Sequence, residues 1–250
     1  MSPGFLDETR DKWEAWCDRI GHDLLDLAVC THLHREVIRI ILANSALAGT
    51  ASVYWFFMNV TYVDYAIAAI RRQLKDDPGG VSLVRLLREL SEHPGAIRRE
   101  WFEARPPDWL GAYVRERAYE WSHAFFNEFA GSKAEHVDPT VVERDLADLR
   151  RALRDLEVAA DRMVAHLGKK PPVAKPQHPE LYGNVETLLS VFHRYRTLIC
   201  RGPWDFNIPQ SVGEEWRELF KQPWIRPDVG EGSVGAVEQA VSGLLASSEK

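Results

Sequence analysis

Apolar residues recur at helical spacing along almost the whole chain. The clearest run is Val142, Leu146, Leu149, Leu153, Leu156, Ala160, Met163 and Leu167, whose alternating steps of four and three are those of a packed seam. The same criterion predicts helices over about 6–29, 33–48, 51–75, 81–92, 107–130, 139–167, 179–200 and a short 213–221, with no convincing strand alternation. Breaks fall at Asp76-Asp77-Pro78-Gly79-Gly80, Pro94-Gly95, Arg105-Pro106-Pro107, Gly131-Ser132-Lys133 and the proline-rich stretch from Lys169 to Pro179. Asp138 or Thr140 is placed to cap the 139–167 helix, Pro139 suits its first turn, and Gly168, Lys169, Lys170 and Pro171-Pro172 form a stop. The pattern predicts an all-α fold.

One apolar stretch tests that reading. Ile40 to Val63 carries no charge and is long enough to cross a bilayer. Asn44, Ser45, Ser52, Asn59 and Thr61 dilute it, and Ala48-Gly49-Thr50 interrupts it, so the expectation is two buried helices and no membrane. Val229 to Lys250, rich in Gly, Ser, Ala and Val, reads as a tail, and no solenoid repeat is present.

With 45% hydrophobic residues and nine tryptophans in 250 residues, the chain can bury a sizeable core. Its formal charge of −6 argues against a broadly basic nucleic-acid coat. The charge is uneven, however. Residues 1–30 hold seven acids against three cations, whereas residues 150–175 hold seven cations against three acids. Cys17, Cys30 and Cys200 lack CxxC spacing, so neither a disulfide framework nor a zinc knuckle is indicated, and a reducing cytoplasm fits best. No signal-peptide pattern opens the chain.

Arg162 and His166 stand one helical turn apart, separated by about 40° around the axis, and are placed to act on one ligand. An alternative role is structural: His166 capping the helix C-terminus and Arg162 pairing with nearby acids. His32 and His34 with Glu36 make a poor metal site, since alternate helical positions diverge by about 160°; capping the second helix suits them better. No metal and no cofactor is expected. Asp64, with Arg71 and Arg72 two turns on, reads as a core ion pair or as a buried link supporting the site, and the dense aromatics of residues 54–65 read as core.

Three segments together resemble the HEPN superfamily of helical proteins, and within it the AbiU-like group linked to bacterial abortive infection. Val53-Tyr54-Trp55-Phe56-Phe57, leading through Asp64 to Ile70-Arg71-Arg72-Gln73-Leu74-Lys75-Asp76 and then Val81-Ser82-Leu83-Val84-Arg85-Leu86-Leu87, resembles that group's aromatic helix, arginine-leucine-aspartate turn and "SLxxLL" helix. Arg162-Met163-Val164-Ala165-His166 resembles its "R-D-K-x-x-A-H" helix end, and Trp216 to Ile225 resembles its "PWI" close. The likeness covers roughly residues 30–226. It departs from the family in one respect: HEPN ribonucleases separate arginine and histidine by more than the three residues found here, with an asparagine after the arginine, and Asp161 and Ala160 occupy the places where their arginine would stand.

The resemblance implies a HEPN-like up-down helical bundle over residues 33–226, with residues 1–32 as an N-terminal helix packed on it and 227–250 as a flexible tail. It implies a metal-independent endoribonuclease of antiviral defence, acting as a homodimer that brings two Arg-His pairs together. His166 would be the general base or acid and Arg162 the phosphate clamp; Arg154, Lys169 and Lys170 would contact RNA, and Asp64, Arg71 and Asp161 would support the site. The other expectation is a non-catalytic helical module that binds RNA, a nucleotide, an antitoxin or another defence-system protein.

Overall fold

Polar residues that read as helix interruptions are absorbed into helices. In the computed structural model, which describes residues 3–44, 53–103, 115–163, 177–202, 213 and 215–221, the helices expected over 6–29 and 33–48 are one, α1 (Pro3–Ala43). Its buried face runs Leu6, Thr9, Trp13, Cys17, Ile20, Leu24, Leu27, Thr31, His34, Val37 and Ile41, a nearly regular three-and-four spacing. Thr31 and His34 can occupy that face because both are satisfied: Thr31 Oγ1 donates to Leu27 O at 2.7 Å, and both ring nitrogens of His34 have partners. The histidines therefore do not cap a second helix, because no helix starts there.

The next helix, α2 (Val53–Leu74), returns antiparallel to α1, since Asn59, Tyr62 and Arg72 bond in turn to His34, Thr31 and Asp23. Its second half buries Val63, Ala66, Ile67, Ala69, Ile70 and Leu74. Phe56 and Phe57 at its start are exposed, as is Leu42 near the end of α1, so the Ile40–Val63 stretch is not buried throughout. Among the described residues no helix is long and apolar enough to cross a membrane.

The break expected at residues 76–80 is closed by Arg85, whose guanidinium donates to the carbonyls of Asp77 (3.1 Å), Pro78 and Gly80 (2.6 Å). Helix α3 (Leu83–Glu92) starts on Ser82, whose hydroxyl accepts from Arg85 N at 3.2 Å. Gln73 adds a second cap by accepting from Leu83 N at 3.1 Å while donating to Asp23 at 2.6 Å. After the short turn Pro94–Ala96 come α4 (Arg99–Glu103) and α5 (Arg115–Ala130), the latter followed by Gly131 in the left-handed region at φ 70°.

Helix α6 (Pro139–Ala152) is capped by Asp138, which accepts from Thr140 N at 2.9 Å. The single helix expected over 139–167 is instead two: Leu153, at φ −104° and ψ 8°, separates α6 from α7 (Arg154–Met163). The seam survives, with Val142, Leu146, Leu149, Leu153, Leu156 and Ala160 all buried. Helix α8 (His178–Cys200) runs antiparallel to α1, because Tyr182 and Glu186 meet His34 and Arg35 at one end and Arg196 approaches Asp18 at the other.

Packing joins α1 to α8 and α2, α3 to α6, α2 to α7 and α4 to α5 around one continuous core. Among the described residues the fold is an all-α bundle without strands. The chain divides into two compact units, Met1–Phe206 and Asn207–Lys250. Of the second, the described part is Gly213 and the 3-10 turn Glu215–Lys221, within which Arg217 lies over the Trp216 ring at 5.5 Å and Lys221 donates to Glu218 at 2.6 Å.

Candidate functional site

Helix α7 is the element that carries the expected site. It buries Leu156, Ala159 and Ala160 and leaves Arg154, Asp155, Glu157 and Val158 exposed, so its apolar face is spent on packing against α2. The α6 end that leads into it is fixed near the end of α2, where Arg150 reaches Asp76 at 3.6 Å. From there α7 packs against α2.

Arg162 belongs to the last turn of α7. The side chains of Asp161 and Arg162, and all of His166, Lys169 and Lys170, lie outside the described residues. Asp64 and Arg71 are half-buried on α2, the helix that α7 packs against, and both are engaged with partners. Arg72 pairs with Asp23 of α1 at 2.5 Å. The basic collar is partly neutralised: besides the Arg150–Asp76 pair, Arg151 reaches Asp148 at 3.1 Å, whereas Arg154 points outward.

A polar cluster that sequence reasoning missed sits where α1, α2 and α8 meet. The His34 ring stacks on Tyr62 with centroids 3.9 Å apart and meets the edge of His178 at 4.9 Å. Nε2 lies 3.0 Å from Asn59 Oδ1, a pure acceptor, and Nδ1 lies 2.8 Å from Tyr182 Oη. These contacts fit one tautomer: Nε2–H donates to the amide oxygen and Nδ1 accepts from the phenol. Burial, followed by the neighbouring His178, holds His34 below its ordinary pKa despite the Asn59 bond, and burial alone does so for His178. Burial also pushes Tyr62 up to about 12. The cluster is thus a neutral polar seam between three helices. No short-range motif marks it, because Tyr182 is 148 residues from His34.

Elsewhere an imidazole is oriented by a carboxylate. His123 Nδ1 on α5 lies 2.9 Å from Glu103 Oε1, which also accepts from Arg99 at 2.8 Å. Arg99 in turn donates to the carbonyls of Gly131 (2.6 Å) and Ala134 (3.0 Å), so the group latches α4 to α5 and the turn after it. Between α6 and α8, a cavity of about 320 Å³ is lined by Asp145, Thr187, Ser190 and Arg194. Its charges pair with each other: Arg194 and the buried Tyr195 hydroxyl both donate to Asp145 Oδ2. Among the described residues no group of three or more His, Cys, Asp and Glu side chains is gathered for a metal ion.

No family model, curated protein or solved structure matches the chain.

Proposed function

We propose that the chain is a HEPN-type helical protein of bacterial antiviral defence whose activity is metal-independent RNA cleavage by Arg162 and His166. One observation carries the reading: the helix bearing Arg162 commits its apolar face to the core against α2, and the sequence places a titratable imidazole, His166, four residues after Arg162. In the proposed reaction His166 takes the proton of a ribose 2′-hydroxyl, the 2′-oxygen attacks the adjacent phosphorus, and the 5′-oxygen leaves after protonation by a second imidazole. The products are a 2′,3′-cyclic phosphate and a 5′-hydroxyl. Arg162 steadies the charge on the phosphoryl oxygens. The second imidazole comes from another copy of the chain, which is why the active species is a homodimer.

Incubating the purified full chain with RNA in excess chelator tests this. Wild type is expected to yield cyclic-phosphate ends, and His166→Ala to lose about 100-fold or more in rate with its helical signal unchanged. RNA left intact by wild type, or cleaved equally by the variant, removes the catalytic reading. A binding module without catalysis is the second reading, favoured by the short Arg-to-His spacing, the acidic net charge and the pairing of Arg150 and Arg151 with acids. Under it, His166→Ala and wild type retain the same partner and neither cuts RNA.

A further inference from the structure

The beginning of α8 docks on α1 and α2 through a group of imidazole and phenol rings. His34 of α1 is buried, and its ring is covered by Tyr62 of α2, by the edge of His178 at 4.9 Å and by Tyr182 at 6.0 Å. Tyr62 and Tyr182 also meet each other at 6.0 Å, and His178 stacks on Tyr182 at 6.3 Å. Gln177 provides no side-chain cap, so these rings and the buried Leu181 hold the start of the helix in place. Charged neighbours are few. On α1, Arg35 lies over the Tyr182 ring at 4.8 Å and pairs with Glu186 of α8 at 3.1 Å, and the Cys30 thiol acts on Tyr62. Among the described residues neither His34 nor His178 is bonded to a carboxylate.

We propose that this junction is a proton-operated latch: neutral His34 and His178 dock the first turns of α8, and acidification, by charging them, releases that end of the helix while the rest of the bundle stays folded. A proton on His34 Nδ1 sets an N–H against the Tyr182 hydroxyl, which donates there at neutral pH. The remaining bonds cannot absorb the change, because Nε2–H is committed to Asn59 and Tyr62 donates its own hydroxyl to Thr31 at 3.2 Å. A charge on either ring also faces the other imidazole at 4.9 Å, with the Arg35 guanidinium over Tyr182 and Glu186 already held by Arg35. His178 is moreover the first residue of α8, where the helix dipole disfavours a cation. Burial holds both rings below the ordinary histidine pKa, and His178 adds to the effect on His34 against the Asn59 bond. Released rings take up a proton near 6.5 and docked ones only at lower pH. Release is therefore favoured as pH falls through that value, by at most about tenfold per pH unit for each ring.

The experiment incorporates fluorotyrosine throughout the full chain, assigns the fluorine resonances with single tyrosine-to-phenylalanine variants and follows their broadening by a soluble gadolinium chelate from pH 7.5 to 5.5. Expected is a broadening of Tyr182 that grows below pH 6.5 toward that of the exposed Tyr119, while Tyr195, buried near the other end of the same helix, stays shielded. In the double variant His34→Gln and His178→Gln, whose amides hydrogen-bond but take up no proton, Tyr182 stays shielded at both pH values. Tyr182 still shielded in wild type at pH 5.5, Tyr195 uncovered together with it, or the same pH dependence in the double variant overturns the proposal. The wild-type titration decides the matter even where the double variant fails to fold.

Discussion

His34 illustrates how a side chain that titrates near neutrality becomes part of a core. Its ring is buried, stacked on Tyr62 and bonded at both nitrogens, one bond accepting and one donating. Protonation would turn the Tyr182 contact into donor against donor unless the phenol rotates. Because its folded pKa is below the unfolded value near 6.5, both states are neutral above that pH and the full stability is present. As pH falls through 6.5 the unfolded chain takes up the proton first, and stability is lost until the folded value is passed. Urea unfolding at pH 5.5 and 7.5 should show a larger loss for wild type than for His34→Gln; equal losses would contradict a neutral buried ring. His178 shifts in the same direction, so the slope should shrink in the variant without vanishing. A second residue-scale test concerns Glu89. Burial works against its charge, but Lys12 and the Trp13 indole, which donates at 3.1 Å, hold its carboxyl below the usual range. Removing it in Glu89→Ala strands the N–H of a fully buried tryptophan and should destabilise by about 1–3 kcal/mol in chemical denaturation.

At the scale of elements, Leu153 shows what a hydrophobic pattern can and cannot reveal. The backbone leaves the helix there, yet Leu153 N still donates to Leu149 O and Glu157 N to Leu153 O, each at 3.1 Å. The buried face therefore keeps its phase across the joint, and the spacing of Leu149, Leu153 and Leu156 is that of an uninterrupted helix. The seam was legible and the break was not. The same holds in reverse for α1, where Thr31 and His34 look like a stop because their partners on α2 and α8 are set by tertiary packing. Short-range devices were readable: the Asp138 cap, the turn at residues 76–80 and the glycine after α5 all involve neighbours in sequence. Of the expected site, Arg162, Arg154, Asp64 and Arg71 lie on described helices, whereas His166, Lys169 and Lys170 lie outside the described residues. Leu153 itself is fully buried at the joint. Leu153→Ala should cost about 2–5 kcal/mol by thermal or urea unfolding. A cost under about 1 kcal/mol would mean that α7 is not anchored through this residue.

For the whole molecule the question is how a chain of net charge −6 could hold RNA. Part of the answer is that many acids of α1 face cations of the same protein: Asp7 meets Arg10, Asp23 meets Arg72 and Asp18 approaches Arg196 at 4.0 Å. The cations so used are equally withdrawn from a phosphate backbone, and so are Arg150 and Arg151. The proposed nuclease is left with Arg154, Arg162, Lys169 and Lys170 as its phosphate contacts, a small set for a protein of this size. Counterion release makes that number measurable. Four contacts to a single strand correspond to a slope of about −3 in the logarithm of the binding constant against the logarithm of salt concentration. Anisotropy of a labelled single-stranded RNA, titrated with the His166→Ala protein across a salt series, should give that slope. Arg154→Ala should reduce its magnitude by about 0.7. Arg151→Ala, which removes a cation already paired with Asp148, should leave it almost unchanged. A slope near zero would mean that these side chains do not meet phosphate, and would remove RNA as the ligand of this helix end. Sensitivity to Arg151 equal to that of Arg154 would instead mean that the collar opens its ion pairs to bind, which would spread the contact over α6 as well as α7.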